Sequence, residues 1–178
     1  MATLFMRIDG NTDIPGTATI GDITGTTTKG WFAIESVSWG AMRGVSVDIG
    51  NANNADSGMV AMGEVSISKS YDGATPFIQT FMYEPTKTGK LVQAVVTRPI
   101  AEGGGVEAVM IFTMASARVS NYSLSCGEGG LPSESFSLTY NSIDQSFKYV
   151  DADGALQNGE TVKFDATTNK LDSKAPLK

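Results

Sequence analysis

Apolar and polar positions alternate along most of this chain, and only one stretch repeats at helical spacing. Leu4, Met6 and Ile8 alternate with Phe5, Arg7 and Asp9, which predicts a short strand with one mostly apolar face. Residues Asn11 to Gly30 are rich in Gly, Thr and Asp and read as a long loop. Alternation resumes from Trp31 to Trp39, placing Trp31, Ala33, Val37 and Trp39 on one face and Phe32, Ile34, Ser36 and Ser38 on the other. Gly40 then permits a bend. Arg43 to Gly58 carries Val45, Val47 and Ile49 and then a run of Asn and Ala, the pattern of a hairpin or extended arm. Met59 to Lys69 predicts a further strand, with Val65 and Ile67 inward and Ser66 and Ser68 outward.

Tyr71 to Gly89 contains the one helix. Thr75 suits the cap, Pro76 the first helical position, and Phe77/Phe81 and Ile78/Met82 are spaced four apart. Pro85 and Gly89 are its stop signals. About two turns of amphipathic helix would cover an open end or one face of a sheet.

Leu91 to Arg98 and Val106 to Ser125 predict two strands joined by a glycine turn at Gly103 to Gly105. The second is apolar on both faces: Ala108, Met110, Phe112 and Met114 on one, Val109, Ile111, Ala115 and Val119 on the other. Such a strand needs two covers, its own core and either the helix or a neighbouring subunit. Val109, Ile111 and Val119 are therefore the candidates for a subunit interface. Phe136, Leu138 and Tyr140 alternate in turn, and then the apolar phase slips to Ile143, Phe147 and Tyr149, as at a β-bulge or a bend between sheets. Beyond Asp151 the chain is polar, with one more strand expected at Thr161 to Phe164 and a disordered tail over 171–178.

These elements define a mainly β chain: a two-sheet, β-barrel-like domain with one short flanking α-helix. Its 178 residues fit a single domain spanning 1–178. Composition narrows function. The 13 basic and 19 acidic residues give a net charge of -6 with no basic cluster beyond Lys87 and Lys90, so nucleic acid is not an expected partner. No apolar run approaches a membrane span, and the first ten residues meet Arg7 and Asp9 too early for a signal peptide, so a cytosolic start is expected. The chain has no histidine and a single cysteine, Cys126, which removes the usual nucleophile–base pairs and the common zinc sites. Asp151, Asp153, Gly154 and Glu160 lack the spacing of a calcium loop, and Gly103 to Gly105 is followed by no phosphate-binding Lys. No catalytic residue, metal or cofactor is assigned, and the chain reads as a non-enzyme.

Four segments, in order, resemble the haemolysin-coregulated protein (Hcp) family, the tube protein of bacterial type VI secretion systems. They are Gly30 to Gly40, Met62 to Asp72 running into Ala74-Thr75-Pro76, the Val119 to Ser125 strand end, and Pro132 to Tyr140 with Phe147-Lys148-Tyr149. Val162 to Lys170 resembles the family's final strand, although Phe164 stands where a Trp is common. The most specific piece is the ordered set Lys69, Tyr71, Asp72, Thr75, Pro76. Departures are the Asn11 to Thr28 loop and a helix bearing Phe77, Ile78, Phe81 and Met82 in place of Leu-rich spacing.

The resemblance implies a hexameric ring with an open lumen, stacked into a tube that carries small effector proteins and works with spike and sheath proteins. It implies assembly in the cytoplasm and then secretion without a signal peptide. It also implies that Gly44 to Gly58, with Asp48, Ile49, Asn51, Asn53 and Asn54, is the loop that reaches the next ring, and that Ser38 faces the lumen. Two other readings stay open: a stand-alone lectin-like β-sandwich using Trp31 or Trp39 as a stacking platform, and a phage-like tail-tube protein.

Overall fold

The computed structural model describes residues 3–10, 14, 23–26, 30–47, 54–85, 87–100 and 105–175, with backbone alone for 45–47 and 54–57. Among the described residues twelve strands and one helix follow in chain order: β1 Thr3–Ile8, β2 Phe32–Ile34, β3 Ser36–Ser38, β4 Ala41–Val47, β5 Asn54–Met62, β6 Val65–Ser70, α1 Thr75–Tyr83, β7 Lys90–Pro99, β8 Val106–Ser125, β9 Ser133–Thr139, β10 Ser142–Val150, β11 Leu156–Asp165 and β12 Lys170–Ser173. All pairings in the named strands are antiparallel. The main sheet runs β12-β11-β10-β8-β7-β1-β2, the second runs β3-β6-β9-β8, and β4 and β5 form a separate two-stranded ribbon.

Strand β8 belongs to both large sheets. Its first part pairs with β7 and β10, and from Arg118 onward it pairs with β9. The crossing point is marked by a register shift between Lys90 and Val92 and by Ser116, whose φ of 54° is left-handed. Gly89 packs against this corner so closely that a Cβ would stand 2.3 Å from the Ser116 carbonyl, and only glycine fits there. Gly89 is thus a packing residue of the corner, whereas α1 already ends at Tyr83. The helix stops because Glu84, which precedes Pro85, adopts the extended backbone that proline imposes on its predecessor.

On the other side the chain itself joins the sheets. The expected single strand from Trp31 to Trp39 is broken at Glu35, whose N–H bonds to the Ser68 carbonyl. The alternation changes phase there, so that Phe32 and Ile34 before the bend and Val37 and Trp39 after it all pack on the main core. Strands β8-β7-β1-β2 and β3-β6-β9 therefore enclose one core, but among the described residues no ladder closes the circuit. The mainly β, two-sheet arrangement with one flanking helix is as expected, the two sheets lying around a shared core without closing into a barrel. Likewise the phase slip after Tyr140 is a change of sheet, from β9 to β10.

The main core gathers Met6, Ile8, Phe32, Ile67, Phe112, Met114, Phe136 and Leu138 under Ile78 and Phe81 of α1. Burial of each large side chain contributes about 1.5–3 kcal/mol. A smaller cluster of Phe5, Ile23, Trp31, Val95 and Ala108 lies apart, with Ile111 packed on it. Ala108 thus faces away from Phe112 and Met114, because a second register shift between Val96 and Thr97 rotates the strand at Val109. Both faces of β8 have cover from within the chain. The Met59 to Lys69 strand is interrupted at Gly63. At the C-terminus the expected tail is corrected in its first residues: Lys170–Ser173 form β12, paired with β11, and residues 176–178 lie outside the described ones.

Candidate functional site

Alternation in β3, β6, β9 and the end of β8 places serine on one face of the second sheet. The register aligns them into rows: Ser38, Ser66, Ser137 and Asn121; then Ser36, Ser68, Ser135 and Ser123; then Ser70, Ser133 and Ser125. Ser36 and Ser68 hydroxyls share a hydrogen bond of 2.6 Å, Ser66 and Ser137 one of 3.3 Å, and Ser70 donates to Glu35. Arg118 and Thr139 border the face at one end. It is uncharged across its middle, hydroxyl-covered and without a large apolar side chain. Ser38, the residue matched to a lumen position, stands exposed in the first row.

Beneath this face lies a buried ionic cluster. Lys69 and Glu134 are direct cross-strand partners on β6 and β9, 1% and 2% exposed, with Nζ 2.5 Å from Oε1. The ammonium spends its other donors on Asp72 Oδ1 at 2.7 Å and the Ser70 carbonyl at 2.7 Å. Glu134 also accepts from Thr75 Oγ1 at 2.6 Å and from the Tyr122 hydroxyl at 2.7 Å. Thr75 therefore does not cap α1. No side chain bonds from the cap residue Ala74, while Asp72 accepts the Ala74 N–H. The set Lys69, Asp72, Thr75 is legible in sequence; its partner Glu134 is 59 residues or more away and carries no local signal.

The pair also fixes register. A one-residue slip of β6 against β9 would turn serines into the core and apolar residues out. Lys69 opposite Glu134 makes that slip expose an unpaired buried charge.

Burial, and then the hydrogen bond to Glu134, push the Tyr122 hydroxyl up to about 12. A folded value above the unfolded one, near 10, favours the native state fully below pH 10, and the contribution is lost as pH rises through 12. Stability of Tyr122→Phe should accordingly fall less steeply than that of the unmodified chain between pH 10 and 12. Urea midpoints across that range check this, and equal slopes would refute it.

The ribbon β4–β5 is a second surface. It starts where the Gly63 N–H bonds to the Gly40 carbonyl at 2.8 Å. Trp39 Nε1 donates to the Tyr140 hydroxyl, and Tyr140 in turn donates to the Gly63 carbonyl at 2.8 Å, anchoring the base. A two-stranded ribbon is marginal alone. Here Met42 and Met59 are 74% and 73% exposed, and a cavity of about 430 Å³ opens between Gly40, Ala41, Met42, Ala61, Met62 and Gly63. Of the residues assigned to stacking, Asp48, Ile49, Asn51 and Asn53 lie outside the described residues, and Asn54 opens β5 opposite Val47.

A third group of exposed apolar residues is Phe147, Tyr149 and Val150 toward the end of β10, with Leu171 on β12 two strands away. The three interface candidates are not gathered with it. Val119 packs partly on the main core and Ile111 on the smaller cluster, whereas Val109, half-buried at the strand's register shift, belongs to neither. Trp31 is buried and Trp39 is committed to Tyr140. Asp151 accepts from the Gln157 side chain and from the Ala155 and Asp153 N–H groups, the bonds of an acidic turn, and these hold its carboxyl below the usual range. Among the described residues no three His, Cys, Asp or Glu side chains converge as a metal site, and no helix is long and apolar enough to cross a membrane.

Residues 5–147 match the family described as "Type VI secretion system effector, Hcp". No curated protein matches the sequence. Among solved structures, one titled as a type six secretion system protein is similar at a TM-score of 0.80 and 17% identity, covering 97% of this chain and 100% of that one. Hcp1 from Salmonella typhimurium is similar at 0.61 and 20% identity, covering 96% and 99%. Hcp1 from E. coli EAEC 042 is similar at 0.63 and 13% identity, covering 93% and 97%. At such identities the likeness concerns the fold.

Proposed function

The chain belongs to the Hcp family of type VI secretion, a family of structural proteins and not of enzymes, and we propose that it is a tube subunit whose copies close into a six-membered ring and stack. In this reading the whole of 1–178 acts as one unit. The ring assembles in the cytoplasm with spike and sheath proteins, and leaves the cell carrying small effector proteins in its lumen.

The observation that carries the reading is the division of the surface. The face of the second sheet is a field of hydroxyls with no large apolar residue, suited to a wall that stays wet and releases what passes along it. Exposed apolar side chains stand elsewhere, at Met42 and Met59 on the ribbon and at Phe147, Tyr149, Val150 and Leu171 on the main sheet. Exposed apolar side chains of that kind are what subunit contacts cover. A head-to-tail contact closes into a ring when its rotation permits, and the axial contacts of the ribbon then extend the ring into a tube. Ser38 with its row lines the lumen, Val109, Ile111 and Val119 lie toward a neighbour, and Asp48, Ile49, Asn51, Asn53 and Asn54 reach the next ring.

Substituting Asp48, Ile49 and Asn51 together by Gly or Ser should leave the melting temperature and ring mass unchanged while removing most tubes from negative-stain images. Tubes of unaltered abundance would overturn the stacking assignment.

A further inference from the structure

A second cleft lies at the seam between the ribbon and the main sheet. Trp39, Ala41 and Met62 form one side and Val162 and Phe164 the other, enclosing about 160 Å³. The lining is apolar except for Gln145, whose backbone is fixed on β10 between Phe112 of β8 and Val162 of β11. Gln145 is 8% exposed, and its Nε2 finds no hydrogen-bond acceptor among the described residues. A buried amide donor in apolar surroundings is unfavourable until an acceptor arrives. The cleft is therefore apolar in shape and bulk but carries one donor at its wall, the pattern of a site that reads orientation.

Three features say what arrives. Through Ala41 and Met62 the cleft runs on into the larger cavity beneath Met42, so the combined trough is elongated and open to the surface. Among the described residues β4 and β5 pair only with each other, which leaves their outer edges able to take an added strand beside the trough. No charged side chain lines either part, so two copies of a chain of net charge -6 meet there without opposing like charges. We infer that this cleft receives one apolar side chain and the adjacent main-chain carbonyl of an extended segment from a second copy, with Gln145 Nε2 donating to that carbonyl. The inference rests on the self-assembly proposed above and assigns it a specific pocket.

Gln145→Leu keeps the bulk and removes the donor. Under dissociating conditions its melting temperature should equal or exceed that of the unmodified chain, and the concentration for half-assembly, read by light scattering, should rise about tenfold. In the unmodified protein, exchange of the Gln145 side-chain amide protons with water, read by NMR on samples below and above the assembly concentration, should slow on assembly. Unchanged assembly with unchanged exchange would mean that only water fills the cleft and would overturn the inference while leaving the ring intact. A lowered melting temperature with unchanged assembly would also overturn it, by placing the acceptor within the same chain. If the unmodified chain does not assemble at all, the tube reading fails first and this pocket with it.

Discussion

Lys69→Met is expected to destabilise the folded chain by about 3–5 kcal/mol, more than any surface change. Removal of the ammonium leaves Glu134 at 2% exposure with an unpaired charge and leaves Asp72 without its cation. The effect reaches further because Glu134 also accepts from Thr75 and Tyr122, so a carboxylate that moves toward water pulls on the tie between α1 and β9. Denaturant unfolding measures the loss. The double variant Lys69→Met with Glu134→Leu separates charge from shape: it should recover part of the loss, because the buried carboxylate goes with the ammonium, while Asp72 stays without its cation and Thr75 and Tyr122 lose their acceptor. A single variant that stays within about 1 kcal/mol of the parent would contradict this account of the cluster.

Val109→Asp is expected to have the largest effect on assembly. The half-buried side chain lies at the register shift of β8 and outside both core clusters, so the monomer makes little use of it. Ile111 and Val119 are partly spent on the monomer's own packing, and substitutions there would confound folding with association. Burying a carboxylate at each subunit contact costs its desolvation and should raise the concentration for ring formation by about a hundredfold. The melting temperature under dissociating conditions should change little. Rings that persist at the parent's concentration would remove Val109 from the interface.

Much of the fold was legible in the sequence because its strands alternate cleanly. Ser66/Ser68 and Ser135/Ser137 announce an outward polar face, and Ser36/Ser38 and Ser123/Ser125 repeat the signal two residues apart. What alternation alone does not give is which strands lie side by side, and the serine field exists only once β3, β6, β9 and β8 are in register. Breaks in phase were harder to read. The bend at Glu35 and the shift at Val109 each move side chains to another face without any Gly or Pro at the site. Ser116 likewise takes a left-handed φ where the sequence offers no glycine, forced by the crossing of β8 between sheets. Thr75 looked like a helix cap because caps are local; its true acceptor, Glu134, is brought by tertiary pairing. The strand at Lys170–Ser173 was hidden by its polarity, since an edge strand with an exposed face needs few apolar residues.

Light scattering of the purified chain across micromolar to millimolar concentration, paired with negative-stain images of the same samples, tests most directly whether exposed apolar surface is covered by identical neighbours. A mass near six chains together with closed annuli is the predicted result. A mass of one chain persisting to millimolar concentration, with no annular particles, would contradict it.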